Sequence, residues 1–396
     1  MTGSRHDMNY YKDVSPWSLN GEKIMVVTEN DHLGLIVSGQ DEEKKNIDRN
    51  ITQCRGSLFT LLGPALSFKC KLSPLVQLHL WRTYSLPVLM SGLSALPIRP
   101  RIMKPLQAFH NKILRGFLKQ SYNSPVASLF FLCGELPIEA RLHLDLLNLF
   151  HNIWSNPGTK IYEIVMYIVK MVSESSTTWS YHIRQVCLKY GLPDPINLLQ
   201  YAAVPRSAWK ELVRTRVTAY HEAELRRAAR SNSKLEYFNV ETLGLNGRAH
   251  PILDIHETRD SMKLKAHLKF LTGDILSYQN LSHDRGTDSS CRLCGAQEEN
   301  TQHIITECRS YADVRERLYP ELVNLVASIN PTSGILTTSN TSNRLLTQFI
   351  LDPASLNLPN SHRISFQHPR LHELYCLSRD WCFAIYNRRI KLLKDA

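Results

Sequence analysis

The residues with the most definite chemistry stand in one short stretch, Cys291–Cys308, which reads CRLCGAQEENTQHIITEC. It spaces Cys291, Cys294, His303 and Cys308 as C-x2-C-x8-H-x4-C. Two cysteines separated by two residues form a tight knuckle whose thiolates can face one ion. A downstream histidine and cysteine can complete the tetrahedron. Gly295 suits the turn that aims backbone N–H groups at the sulfurs. Four protein ligands leave no open position for water, so the pattern predicts a single structural Zn2+ site at Cys291, Cys294, His303 and Cys308.

The other reactive side chains carry less. Cys54, Cys70, Cys133, Cys187, Cys376 and Cys382 are scattered, as reduced thiols of a cytoplasmic or nuclear protein would be, and do not outline a disulfide framework. His143 and His151 fall two turns apart with Asp145 near them. His79, His110, His143 and His151 read as ordinary histidines of helix surfaces or cores, and no catalytic residues are assigned. P-loop, dinucleotide-binding, nucleophile-elbow and His-Glu-x-x-His signatures are absent.

Charge is distributed unevenly. The 396 residues carry 47 Lys+Arg against 36 Asp+Glu, a formal net charge of +11, with a pI near 9.2. No Asp or Glu occurs between Asp48 and Glu135. That segment holds Arg49, Arg55, Lys69, Lys71, Arg82, Arg99, Arg101, Lys104, Lys112, Arg115 and Lys119. The entire net charge of the chain therefore lies there. A field of one sign is what a phosphate-backbone partner selects, so Arg55, Lys69, Lys71, Arg82, Arg99, Arg101, Lys104, Lys112, Arg115 and Lys119 are the expected contacts to RNA or DNA. Apolar content of 43% and a mean hydropathy of −0.25 fit a globular protein. The absence of long apolar runs and of an N-terminal h-region leads to the expectation of no membrane partner, no secretion and a nuclear or cytoplasmic location.

The elements that must position these residues read as mainly α. Residues 17–39 predict an N-terminal β-hairpin from Trp17–Val27 and His32–Gly39 with a turn at Thr28–Asp31. Gln40–Asn50 opens a helix, and Pro74 starts another. Pro100–Lys119 is amphipathic: Ile102, Leu106, Phe109, Ile113 and Phe117 form its apolar stripe, and Arg101, Lys104, Asn111, Lys112, Arg115 and Lys119 lie on its polar side. Pro137–Trp154, Thr159–Val172, Thr178–Tyr190 and Ser207–Arg230 follow as helices. Leu235–His250 reads as extended or irregular, Ser261–Leu271 as a short basic helix, and His303–Leu318 as a helix begun by the third ligand. Residues 330–362, rich in Ser, Thr, Asn and Pro, read as a loop or disordered linker. Pro369–Lys394 closes the chain as a helix whose Arg388, Arg389, Lys391 and Lys394 complement its C-terminus. The expected organisation is 1–40 hairpin, 41–204 basic multi-helix bundle, 205–330 helical linker with the knuckle, and 331–396 loop and terminal helix.

The ordered combination resembles the C-terminal portion of reverse transcriptases of non-LTR (LINE-type) retrotransposons. His32-Leu33-Gly34 is similar to the motif that ends the palm and grips the primer, which makes Leu33 and Gly34 primer-grip-like. LWRTYSLPVLMSGLSAL (Leu80–Leu96) and PLQAFHNKILRGFL (Pro105–Leu118) resemble the helical thumb. KAHLKFLTGD (Lys265–Asp274), then the CRLC knuckle with His303 and Cys308–Arg309, resemble the terminal cysteine–histidine region. The resemblance implies a thumb-like bundle, contact with RNA and DNA, and a parent activity of RNA-templated DNA synthesis.

The chain departs from that family where polymerisation needs it. It has no adjacent pair of aspartates, and Tyr311-Ala312-Asp313-Val314 places valine where the second would stand. A two-metal polymerase centre needs that pair, so neither a Mg2+ site nor polymerase activity nor a small-molecule substrate is expected. The alternative reading is a helical protein-interaction scaffold stapled by zinc, without nucleic-acid binding.

Overall fold

In a computed structural model the described residues are 18–23, 27–66, 72–171, 178–254, 260–275, 289–329, 342–353 and 370–395. The protein is mainly α. It opens with two short antiparallel ribbons, β1 (Ser18–Leu19) with β2 (Glu22–Lys23) and β3 (Glu29–His32) with β4 (Leu35–Ser38). The helices are α1 (Glu42–Leu66), α2 (Pro74–Leu80), α3 (Leu86–Met90), α4 (Pro100–Leu118), α5 (Val126–Cys133), α6 (Ile138–Trp154) and α7 (Lys160–Met171). After them come α8 (Trp179–Lys189), α9 (Pro195–Leu198), α10 (Arg206–Arg230), α11 (Asp260–Leu271), α12 (Ala312–Ile329), α13 (Asn343–Leu351) and α14 (Leu371–Asp395).

The ribbon turns differ from the expected hairpin. Thr28–Asp31 is not a turn: Glu29–His32 is strand, and the chain reverses at Leu33–Gly34, with His32 opposite Leu35. Both turn residues have positive φ, 49° and 80°, the geometry whose twist matches flanking strands. A second reversal at Asn20–Gly21, with φ of 53° and 84°, divides the expected first strand. Asn46 fixes β4 to α1: its side-chain carbonyl accepts from Ile36 N–H at 2.9 Å and its amide donates to Ile36 O at 2.8 Å.

The chain divides into two compact units. The first comprises 1–63, 79–110 and 137–221. Its core gathers Trp81, Leu89, Leu93, Leu106, Leu142, Phe150, Ile183 and Trp209. Buried indole N–H groups favour acceptors: Trp154, Trp179 and Trp209 donate to Tyr201 O (2.8 Å), Ser94 O (3.0 Å) and Leu147 O (3.0 Å), whereas Trp81 Nε1 meets none among the described residues. Between α2 and α3, residues Trp81–Ser85 form a π turn closed by Leu86 N–H on Trp81 O. Pro87 starts the next turn, where its missing N–H costs little.

The second unit comprises 64–78, 111–136 and 222–396. Its centre is α14, packed on α11 and α12 with Leu374, Tyr375, Trp381 and Ile385 buried. Arg379 is also fully buried and donates to Ile252 O and Asp254 O at 3.3 and 3.2 Å. Gly134, the left-handed cap of α5 at φ 62°, lies so close to Arg248 that a Cβ there would stand 2.0 Å from its carbonyl oxygen. The 330–362 linker is corrected in part: Asn343–Leu351 is helix, capped by Ser342 on Leu345 N–H and buried through Phe349, Ile350 and Leu351.

Candidate metal centre

The knuckle begins at a reverse turn. Gly295 N–H donates to Cys291 O at 2.8 Å and Cys291 N–H to Ala296 O at 2.8 Å. Gly295 adopts φ 75°, where a side chain would be strained. The turn brings the Cys291 and Cys294 thiols to one side of the backbone.

The second ligand pair is built differently from the expected helix His303–Leu318. His303–Glu307 is a single π turn, closed by Cys308 N–H on His303 O at 2.7 Å. An α-helix repeats every 3.6 residues and would rotate residue i+5 away from residue i. Widening one turn brings His303 and Cys308 to the same side, which suits a π turn at a functional position. The chain then breaks into a 3-10 turn, Arg309–Tyr311, before α12. Asn300 Oδ1 caps the turn by accepting from His303 N–H at 2.8 Å.

All four sequence-predicted ligands come together. One donor atom from each of Cys291, Cys294, His303 and Cys308 lies within 4.8 Å of the others. Cys291 Sγ and Cys308 Sγ are 4.0 Å apart, and Cys294 Sγ and His303 Nε2 are 3.3 Å apart. Bond lengths of about 2.3 Å to sulfur and 2.0–2.1 Å to nitrogen place neighbouring tetrahedral ligands about 3.5–3.8 Å apart. The cluster could therefore hold one metal ion. Burial pushes the Cys291 thiol up to about 12 and raises Cys308. Against the upward pull of burial, hydrogen bonds from Ala296 and from the neighbouring thiols bring Cys294 below its ordinary value. Burial lowers His303, against the pull of Glu307. A cation supplies the charge that converts such a set of thiols to thiolates.

Several supporting residues were not among the expected ones. Glu307 Oε2 lies 3.7 Å from His303 Nδ1, placed to orient the ring from behind. Arg315 donates to Cys308 O at 2.8 Å. Glu299, wholly buried, receives two hydrogen bonds from Arg389 of α14 at 2.6 and 2.8 Å. Arg389 is thus not a solvated cation complementing a helix end; it is 4% exposed and anchors α14 to the knuckle loop. Glu299 was visible within the knuckle sequence, but nothing in it pointed to a partner ninety residues away.

The expected nucleic-acid contacts fall in both units. In the first, Arg55, Arg99, Arg101 and Lys104 are exposed and Arg82 is half-buried. Arg55 lies over the Phe109 ring at 5.6 Å and Arg99 is 3.6 Å from Glu43. Arg49 pairs with Asp31 at 2.6 Å, so acids from outside the acid-free segment answer some of its cations. In the second unit, Lys112 is exposed and Arg115 and Lys119 are half-buried. Lys69 and Lys71 lie outside the described residues. Leu33, 91% exposed, and Gly34 form the tip of the β3–β4 ribbon. No family model, curated protein or solved structure matches this chain. Among the described residues, no helix is long and apolar enough to cross a membrane.

Proposed function

We propose that this chain is a reverse-transcriptase-like piece of the non-LTR retrotransposon type that binds RNA or DNA without polymerising. The observation that carries the reading is the polar face of α4. Arg101, Lys104, Lys112 and Arg115 recur at helical spacing along it, Lys119 follows at its end, and the segment around it contains no acid. Each such cation can neutralise one phosphate and release its counterion. The Cys/His cluster takes zinc, the ion suited to three thiolates and an imidazole, and its part is architectural. The ion would staple the Cys291–Cys294 turn to the His303–Cys308 turn. The lack of paired aspartates fits binding without nucleotidyl transfer.

Filter binding of the full chain to a structured RNA tests the reading. The expected result is saturable binding whose logarithm falls linearly with the logarithm of salt, with a slope of about −3 to −5 for four to six phosphate contacts. Arg101→Gln with Lys104→Gln and Lys112→Gln should flatten that slope by about one for each cation removed. Undetectable binding at low salt, or binding indifferent to salt, overturns it.

A further inference from the structure

The last turn of α4 and the middle of α11 enclose a second polar feature, wholly within the second unit. Arg115 and Lys119 from the first and Lys265 and Lys269 from the other line one cavity of about 350 Å³, with Gln120 and Ser121 at its edge. Lys265 and Lys269 are four residues apart and so share one face of α11. Gly116 adds no bulk: a Cβ there would meet nothing within 4 Å.

Two of these cations, Arg115 and Lys269, are held by neighbouring groups. Arg115 donates to Ser124 O at 3.2 Å and lies over the Tyr122 ring at 5.4 Å. Its Nε is buried without a hydrogen-bond partner. Lys269 Nζ lies over the Tyr386 ring at 5.5 Å. The acid beside the group, Asp274, is engaged by Ser121 N–H and Oγ (3.2 and 2.5 Å) and Ser124 Oγ (3.1 Å). Among the described residues, these cations outnumber the Asp274 carboxylate beside them. The field is felt at Lys265, which is lowered by burial and by Lys269 and Lys119.

The chain bends to make this arrangement. Lys119 N–H bonds Gly116 O and Gln120 N–H bonds Arg115 O, the paired bonds of a Schellman helix stop. The residue in the left-handed position is Lys119 itself, at φ 54°, where glycine is usual. Complementing the negative end of α4 accounts for Arg115 and Lys119. It does not account for two lysines brought to them by a different helix.

We infer that the Arg115–Lys119–Lys265–Lys269 cavity is a binding site for a phosphate group. Its volume exceeds that of a single inorganic phosphate and suits pyrophosphate or the phosphate of a strand. The four cations can surround such an anion with charge-assisted hydrogen bonds. The site shares Arg115 and Lys119 with the polar face of α4 but adds two lysines of α11, and a small free polyphosphate would satisfy it without any nucleic acid.

Isothermal titration of the full chain with inorganic pyrophosphate at low ionic strength tests the inference. The expected result is one saturable site, weakened about tenfold or more by Lys265→Gln and again by Lys269→Gln. Lys160→Gln, an exposed lysine paired with Glu163, should leave it unchanged. Circular dichroism on each variant verifies its folding, and Lys119→Gln supplies a third substitution on the other helix. Displacement of pyrophosphate by single-stranded RNA upholds the site with a strand as its source; retention in excess RNA upholds it with a small anion. No saturable binding to the wild-type chain, or equal loss in Lys160→Gln, overturns it. Either result leaves the salt-dependent RNA binding of the polar face standing or falling by its own measurement.

Discussion

In the Cys/His centre, the four ligand atoms come from one short stretch and lie within 4.8 Å of one another. Along α4, Arg101, Lys104 and Lys112 are spread over three turns, and each points its charge into solvent. The first arrangement concentrates donors, three of them buried and Cys294 partly exposed, and local backbone geometry does the concentrating: a glycine turn on one side and a π turn on the other. The second is a field of solvated charges whose effect accumulates only against an extended partner. The difference predicts different failure modes. Removing one ligand should abolish the closed site, whereas removing one cation from the helix should weaken binding by a fraction.

Cys294→Ser carries the largest expected effect. A structural zinc site contributes roughly 10–16 kcal/mol of apparent binding energy, and a hydroxyl is a poor substitute for a thiolate. Zinc content measured by mass spectrometry should fall from one equivalent to near zero, with loss of hydrogen-exchange protection across 289–329. Protection across 137–221 should persist, because that segment packs around its own core of Leu142, Phe150 and Trp209. Unchanged zinc stoichiometry would remove the knuckle from the metal-binding residues. Equal loss of protection in both segments would show that the centre is not a local device.

Arg389→Ala comes next. It leaves Glu299 buried with its main cationic partner gone, and breaking a buried pair in this way typically costs about 3–5 kcal/mol. Urea denaturation should record a loss of that order. The double variant Glu299→Gln with Arg389→Met should recover much of it, since no uncompensated charge is then buried. If the single variant is as stable as the parent, the tie between α14 and the knuckle loop contributes nothing to the closed site.

How much of these two regions was legible follows from the range of the interactions that make them. The four ligands were readable because C-x2-C is itself a turn geometry, and the mainly helical fold was readable because stripes such as Leu106, Phe109, Ile113 and Phe117 repeat at helical period. The π turn at His303–Glu307 was not, since periodicity arguments assume 3.6 residues per turn. The ribbon turn was misplaced because Leu33 occupies a left-handed conformation that its side chain disfavours. The Asn20–Gly21 signal, by contrast, was present and fell inside an expected strand. Helix α13 was hidden by its polar neighbours: its apolar face is short, and only the buried setting of Phe349–Leu351 marks it. Lys265 and Lys269 belonged to a helix recognised as basic, but their meeting with Arg115 and Lys119 is a tertiary event. The Glu299–Arg389 pair is another.

The smallest predicted effect tests what holds α4 in place behind its charged face. His110, on the opposite side, is fully buried and stacks on Trp81 at 5.6 Å between ring centres. Burial, reinforced by the Arg141 charge, lowers its pKa to about 3. The unfolded chain would titrate this ring near 6.5, so between these values the unfolded state binds the extra proton. Stability from this group is therefore intact above about 6.5 and is lost as the pH falls, by about 2 kcal/mol at pH 5. Denaturation of the wild-type chain at pH 7 and pH 5, set beside His110→Phe, isolates the contribution: the variant should lose about 2 kcal/mol less on acidification. Equal losses would place the acid sensitivity elsewhere. The expected difference would show that the buried His110 ring is a source of acid sensitivity in the packing behind α4.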